Sequence, residues 1–394
     1  MRDVYIIGAG MTRFGLYDGR HLPVKSVFEL GKVACLAALD HAGINHRKIE
    51  SAFCGNVSSP PNCGQTILAP CGISGIPIFN HENACASSSC ALKDAYEAIG
   101  NGTYDTAIVI GAECWSFLRL SDSSMALSGL ISPPQGTNLN QDIAGAFGPA
   151  LLALVARAHM NEYGTTKEQF AEIAVKNKRN ASLNPYAQFQ KEVTLEEVLN
   201  SRMICDPLTK LQCCPQTDGA AALILSSMDI AKQYTTKMVK LATVTESAAK
   251  YKGMGGVLSG FNCFEIAAKK SYELAGVGPE DLDLVEVHDD FTSMELVAYE
   301  DLGICKKGEG GRFISEGLSD YGGKVVVSPS GGLLGKGHPL GATGVAQLVE
   351  ITWQLRGECG SRQVEVAKVG LAHNGGGIGD GYEPGAITIS IATR

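Results

Sequence analysis

Asn83-Ala84-Cys85-Ala86-Ser87-Ser88-Ser89-Cys90-Ala91-Leu92 separates an apolar run ending in Ile78-Phe79 from the helical pattern of residues 91–99. A cysteine among small residues at a helix start lies where the unpaired N–H groups of the first turn point outward. Such a position favours thiolate, the form of cysteine that attacks carbon. Tight packing also accounts for small residues and cysteines at a helix start, so the stretch nominates a nucleophile without establishing one. A base, an oxyanion site and an acid must come from elsewhere in the chain.

With 394 residues the chain has room for two domains or one duplicated unit. Its 45% hydrophobic and 19% charged residues are ordinary for a soluble globular protein. A formal net charge of -8 leaves no basic footprint and argues against a nucleic-acid partner. Thirteen irregularly spaced cysteines follow an opening, Met1-Arg2-Asp3-Val4-Tyr5-Ile6-Ile7, without the long apolar region of a secretory leader, so reduced thiols and a cytoplasmic location are expected. Neither Cys213-Cys214 nor the Cys85/Cys90 pair has zinc-ribbon spacing, and no metal is expected. No apolar run approaches the roughly 18 residues of a membrane span, so no membrane is expected as a partner.

Val4-Tyr5-Ile6-Ile7-Gly8-Ala9-Gly10 imitates a dinucleotide-binding start. The fingerprint, however, needs a third glycine three residues on with a helix opening there, and Met11-Thr12-Arg13-Phe14-Gly15 continues as loop. Val27, Leu30, Val33, Ala34 and Ala37-Ala38 predict a helix over 26–42, stopped by Gly43 and followed by a strand over 49–57. The same order returns downstream, with a helix over 264–275 stopped at Gly276 and a buried strand over 282–287. Laying Ala42-Gly43-Ile44 on Ala275-Gly276-Val277 sets Gly55-Asn56 against His288-Asp289. The helix after Cys85 leads to a strand over 106–111, and the helix after His338 to one over 366–372. A duplicated α/β unit follows, with functional loops at strand ends in both halves. Residues 117–140, rich in Ser, Gly, Pro and Asn, read as loop. Helices over 144–163 and 167–182, the second stopped by Asn184-Pro185-Tyr186, read as an insertion that forms a substrate lid. The expected organisation is 1–116 for the first part of an N-terminal half, 117–210 for the insertion, 211–240 for the return to that half, and 241–394 for the C-terminal half.

Three further stretches carry chemistry. Gly331-Gly332-Leu333-Leu334-Gly335-Lys336-Gly337-His338-Pro339-Leu340-Gly341-Ala342-Thr343-Gly344 holds six glycines in fourteen residues, which suits backbone that turns sharply and approaches a ligand closely. The Walker pattern is absent, so His338 reads as a base serving a nucleophile. Val287-His288-Asp289-Asp290-Phe291 ends a buried strand; carboxylates beside a histidine there mark a site, or one of them caps a helix. The glycines of Ala372-His373-Asn374-Gly375-Gly376-Gly377 either present N–H groups to a developing oxyanion or form a plain hairpin before a last strand over 386–392. Three of the eight histidines fall in these strand-end loops.

Taken together, Asn83-Ala84-Cys85-Ala86-Ser87, His288-Asp289-Asp290-Phe291, Gly337-His338-Pro339-Leu340-Gly341-Ala342-Thr343-Gly344 and His373-Asn374-Gly375-Gly376 closely resemble the thiolase superfamily, in particular its sterol-carrier-protein-2 and archaeal type. His159-Met160, Tyr163-Gly164, Asn177-Lys178-Arg179-Asn180 and Asn184-Pro185-Tyr186-Ala187-Gln188-Phe189 resemble the loop domain of that type, so the resemblance spans essentially the whole chain. It implies an α/β thiolase fold, with duplicated βαβαβ halves in a five-layered α-β-α-β-α arrangement and an inserted loop domain over the CoA. It implies an acyltransferase of the 3-oxoacyl-CoA thiolase type. Cys85 would be the nucleophile, and His338 would draw off its proton and then help hold the thioester oxygen. His288 would complete that oxyanion site, and the N–H groups of Cys85 and Gly375 would form a second one. No permanently bound cofactor is implied, since CoA is a substrate. The expected partners are acyl-CoA and CoA, further copies in a homodimer or homotetramer, and a separate small zinc-ribbon/OB-fold subunit.

The chain departs from the family at the second acid/base. Most members carry a cysteine for this role in the last Gly-rich loop, where this chain has His373. The sterol-carrier type carries it in His-Asp-Cys-Phe, where this chain has Asp290. Asp290 and His373 are both candidates, with Asp290 preferred because it occupies the place from which this subtype works. A vacant role, in a protein that no longer performs thiolysis, is the third possibility. Cys90 reads as packing. The substitution points to an unusual acyl chain, branched, aromatic or carboxylated, benzoylsuccinyl-CoA among them. Two other readings are an acyltransferase or ketosynthase serving an acceptor other than CoA, and a non-catalytic thiolase-like subunit; intact Cys85, His288 and His338 argue against the latter.

Overall fold

A computed structural model of the chain describes residues 1–116, 141–249, 259–378 and 383–394, without the side chains of 141–147. The loop read over 117–140 lies outside the described residues. The strands are β1 (Val4–Met11), β2 (Ser51–Gly55), β3 (Ile78–His81), β4 (Thr106–Glu113), β5 (Met203–Cys205), β6 (Leu208–Thr209), β7 (Gly219–Ser227), β8 (Val239–Ser247), β9 (Leu284–Glu286), β10 (Val326–Val327), β11 (Val369–Ile378) and β12 (Pro384–Thr393). Around them lie α1 (Val27–Ala42), α2 (Ser87–Gly100), α3 (Gln141–Tyr163), α4 (Lys167–Ser182), α5 (Asn262–Ala275), α6 (Thr292–Asp301) and α7 (Thr343–Arg356).

Ten strands join in the order β10-β9-β11-β12-β8-β1-β7-β4-β2-β3, while β5 and β6 pair separately. Cut between β8 and β1, the order reads as two matching halves, β1-β7-β4-β2-β3 and β8-β12-β11-β9-β10. The pairing sense matches too. β7 is antiparallel to β1 and β4, as β12 is to β8 and β11. β2 is parallel to β4 and β3, as β9 is to β11 and β10. The repeated helix–glycine–strand order of the sequence is thus a duplicated unit.

The helices α2 and α7 pack on one another and on strands of both halves. Leu92, Ala95, Val345 and Leu348 share one apolar cluster with Val109 and Leu223 of the first half and Leu284 and Ala372 of the second. Outside the first half, Leu30 and Ala34 of α1 cover Ile108, Ile110 and Ile224. Outside the second, Phe264 and Ala267 of α5 cover Ile387, Ile389 and Ile391. The result is five layers, helix, sheet, helix, sheet, helix. Strands buried on both faces must be apolar on both, as Leu223 and Ile224 of β7 illustrate.

Local signals end the elements where expected in α1, which opens with a reciprocal Ser26/Glu29 capping box and closes at Gly43 in the left-handed region. Two glycine-rich stretches behave differently. β1 runs straight through Gly8-Ala9-Gly10, because α1 lies on it so closely that a Cβ at Gly8 would stand 2.3 Å from the Ala38 carbonyl. β11 starts three residues later than read and continues through His373, Asn374 and the glycines, pairing His373 with Ile389 and Gly375 with Ile387. These glycines are strand, not loop, and they let the strand touch the turn that carries Cys85. A Cβ at Gly376 would stand 2.1 Å from the Asn83 carbonyl. Gly376→Ala is therefore expected to destabilise the fold by at least ~1–3 kcal/mol, the range of overpacked cores. An unchanged urea midpoint would contradict this contact.

Candidate active site

Cys85 stands on a sharp turn between β3 and α2. Ala84 adopts a φ of 48°, in the left-handed region that disfavours a side chain. The turn is held by the Asn83 N–H on the Ser87 hydroxyl (2.9 Å) and by that hydroxyl on the Ala84 carbonyl (2.6 Å). Two backbone N–H groups, of Gly377 and of Cys85 itself, point at the sulphur. Their effect is outweighed by burial, followed by the charge of Asp290, and the thiol is pushed up from its ordinary range. The helix start alone suggested a thiolate; in its surroundings the resting group is a neutral thiol.

Two imidazoles face it. His288 follows β9, and its N–H donates to Nδ1 of His373 (3.2 Å). The side chain of Asn374 spans from the Ser89 hydroxyl on Oδ1 (3.1 Å) to His288 Nδ1 on Nδ2 (3.1 Å). With the amide so oriented, Asn374 donates to Nδ1 and the His288 proton stands on Nε2. His338 is fixed by its own N–H on Thr217 Oγ1 (3.0 Å). Its Nδ1 lies 3.4 Å from Cys214 Sγ, and its buried Nε2 has no partner among the described residues. The two rings meet edge to face at 5.1 Å. The Cys85 sulphur and one nitrogen of each ring lie within 4.8 Å of one another, and among the described residues no other such group of three side chains is close enough to share a metal ion. Burial pushes His288 down to about 4 and His338 well below its ordinary value, so both are neutral near pH 7.

The adjacent carboxylates part company. Asp289 turns away from Cys85 and accepts the N–H groups of Leu333 (2.7 Å) and Leu334 (3.3 Å) and the Asn177 amide of α4 (2.7 Å). It thereby caps the short helix Gly332–Gly335 that leads into His338. Asp290 enters the wall of the cavity that holds Cys85, His288 and His338. One of its oxygens is buried without a partner among the described residues, and burial raises its pKa to about 7. His373 stands behind His288, its ring 4.0 Å from that of Phe264, and burial lowers it to about 3. Gly375 lines the cavity, but the N–H aimed at the sulphur comes from Gly377, two residues on. The cavity measures about 290 Å³, and its far wall is apolar, with Leu151 and Leu152 from α3 and Phe291 and Met294 at the start of α6.

Residues 4–229 match the family model "Thiolase, N-terminal domain", and residues 257–382 match "Thiolase C-terminal domain-like". The chain belongs to the thiolase family. It is 40% identical to the acetyl-CoA acetyltransferase of Methanothermobacter thermautotrophicus over the full length of both chains. It is 39% identical to rabbit (Oryctolagus cuniculus) sterol carrier protein 2, over 94% of this chain and 69% of the other. It is 38% identical to the benzoylsuccinyl-CoA thiolase subunit BbsB of Thauera aromatica, over 95% of each. Among solved structures, the Ltp2-ChsH2(DUF35) aldolase superposes with a TM-score of 0.81 at 24% identity, covering 100% of this chain and 98% of that one. Identity at that level carries the fold and not the reaction. A thiolase-family acyltransferase of sterol-carrier type is what the relatives and the fold jointly support.

Three residues of this thiolase site escaped the sequence reading. Cys214 carries no sequence signal beyond a Cys213 neighbour without zinc spacing, and Asn374 lies inside the glycine-rich motif without a signal of its own. Glu113 ends the apolar strand β4, and its buried carboxylate accepts the N–H groups of Val57 (3.1 Å), Ser58 (3.2 Å) and Gly341 (3.1 Å). It ties the loop carrying His338 to the N-terminal half; a lone acid closing an apolar strand was the available signal. No described helix is long and apolar enough to cross a membrane.

Proposed function

We propose that the chain is a thiolase that cleaves a 3-oxoacyl-CoA, or runs the reverse Claisen condensation, through an acyl group carried on Cys85. The convergence of the Cys85 sulphur with two neutral imidazoles on one apolar cavity carries this reading. The thiol attacks the 3-oxo carbon as its proton passes to Nε2 of His338. The bond between the 2- and 3-carbons breaks, leaving the electron pair on the enolate of the shorter acyl-CoA. Its thioester oxygen is held by the Nε2–H groups of His338 and His288. The Asp290 carboxyl protonates the 2-carbon. CoA then returns a proton to Asp290 and attacks the acyl-Cys85, with the oxyanion on backbone N–H groups of Cys85 and of Gly375 or Gly377. Cys85 leaves and recovers its proton from His338. A carboxyl with a pKa near 7 suits both the donating and the accepting step. CoA enters as substrate, and no resident cofactor takes part.

The acyl group on Cys85 we take to be bulky and apolar, branched or aromatic, in keeping with the cavity wall. The relative acting on benzoylsuccinyl-CoA supports an aromatic chain. That relative is named a subunit, which supports a separate partner subunit; its small zinc-ribbon/OB-fold type and self-association of this chain are carried by the family resemblance alone. Intact-mass spectrometry after mixing with a 3-oxoacyl-CoA tests the reading. The expected result is an acyl adduct on Cys85 that CoA discharges as a free acyl-CoA. An unmodified Cys85 overturns the proposal, and an adduct that CoA leaves in place shifts it to transfer onto another acceptor.

A further inference from the structure

Among the described residues, the ring nitrogens of the base of the proposed acyl transfer have one hydrogen-bond partner, and that partner is a thiol. His338 lines the cavity and presents Nδ1 to Cys214 Sγ at 3.4 Å, while its buried Nε2 has no partner among the described residues. Cys214 is not placed there by chance of a loose loop. Its N–H donates to the Asp290 carbonyl (2.7 Å), Cys213 forms a bridge with Phe291, and Gln216 forms one with His338. Thr217 of the same segment accepts the His338 N–H and donates to Gln188 Oε1 (2.6 Å). Residues 213–217 therefore clamp the two loops that carry Asp290 and His338, with the sulphur at the clamp's centre.

We propose that Cys214 is a positioning residue whose sulphur accepts the Nδ1 proton of His338, which keeps Nε2 free to take the proton of Cys85. The inference rests on the reading of Cys85 and His338 as nucleophile and base. A neutral imidazole carries one proton for two nitrogens, and the partner of one nitrogen decides the state of the other. In an unpartnered ring the proton is shared between both positions, and only the form with a bare Nε2 can act as base. The thiol differs from the carboxylate that usually fills this place in hydrolytic triads, because a charged partner would stabilise the imidazolium. A sulphur that accepts here, rather than donating its own S–H, fixes the ring proton on Nδ1 and, being uncharged, leaves the protonated ring eager to return its proton. The titratable groups around His338 are consistent with this. Cys85, His288 and Asp290 share its cavity. Beneath its loop, Asp289 accepts backbone N–H groups, and Lys178 of α4 donates to the Leu334 carbonyl (2.7 Å). Among these described groups none places a charge on Nδ1. Burial holds the Cys214 thiol in its protonated form and His338 in its neutral one.

The test follows the rate of Cys85 acylation from a 3-oxoacyl-CoA between pH 5 and 9 in wild type, Cys214→Ala, Cys214→Ser and Cys214→Asp, with His338→Ala alongside. Cys214→Ala is expected to acylate about five- to tenfold more slowly with little change in KM. Cys214→Ser, whose hydroxyl also accepts, is expected to recover most of that loss. Cys214→Asp is expected to acquire an acidic limb at least one pH unit above any in wild type, because the carboxylate holds the His338 proton. A Cys214→Ala enzyme with the wild-type rate and profile overturns the inference, as does failure of serine to recover the rate or an aspartate variant without the new limb. If His338→Ala itself acylates normally, the assignment of the base has failed rather than the role of Cys214.

Discussion

Cys85→Ser is expected to lower turnover by about 10⁴-fold or more and to abolish the acyl adduct, with the fold intact. Removing a covalent nucleophile usually costs this much, and here the surroundings make serine an especially poor substitute. A hydroxyl is far less acidic than a thiol and needs a stronger base to become a nucleophile. His338 is the opposite, since burial and then the neighbouring His288 hold it well below the ordinary imidazole range. The pairing suits a sulphur that gives up its proton while it attacks. It does not suit an oxygen. A hydroxyl is smaller than the thiol it replaces, so serine at 85 fits the turn sterically. Steady-state thiolysis and intact mass check the expectation, with circular dichroism to confirm folding. A serine enzyme within tenfold of wild type would remove Cys85 from the role of nucleophile.

Cys85, His288 and His338 were legible because each sits in a short motif whose residue types serve the chemistry directly. The duplication was legible because a helix, a stopping glycine and a buried strand recur in the same order. What stayed hidden depends on contacts between distant segments. Cys214 meets His338 across 124 positions, and no spacing rule joins them. Asp289 and Asp290 are the same residue type side by side, yet one caps the helix before His338 and the other enters the cavity. Both follow the end of β9 in irregular backbone, and which of them faces the site depends on what packs there. The glycines after His373 looked like a loop because glycine weakens strands. Their reason is the close approach of β11 to the Cys85 turn. The thiol departs from the thiolate that its helix start predicts for a related cause, because a helix start is visible in sequence and burial is not.

Asp290→Asn is expected to separate three properties that a merely structural aspartate would not. First, overall thiolysis falls by about 10²–10⁴-fold, the usual contribution of a positioned acid/base, because the amide neither donates to the 2-carbon nor accepts from CoA. Second, Cys85 becomes more reactive toward iodoacetamide, since the Asp290 charge is the second cause, after burial, that pushes the thiol up. A variant that turns over more slowly while its nucleophile alkylates faster is hard to obtain by general damage. Third, the pH dependence changes in each half-reaction. With the Asp290 pKa raised to about 7, wild-type acylation needs the protonated carboxyl and falls as pH rises through about 7. Discharge by CoA needs the carboxylate and falls as pH drops through the same value. Both limbs vanish in the variant. Stability gives a readout independent of turnover. A carboxyl whose folded pKa lies above its unfolded value contributes stability that is full below about pH 4 and lost as pH rises toward 7, because there the folded state alone keeps the proton. Wild type is therefore expected to lose ground to Asp290→Asn between pH 4 and 7, by about 4 kcal/mol at most, and to hold a constant difference above that range. Urea midpoints at several pH values measure it. A difference that stays flat from pH 4 to 8, with unaltered alkylation and thiolysis, would place the acid/base role on another residue.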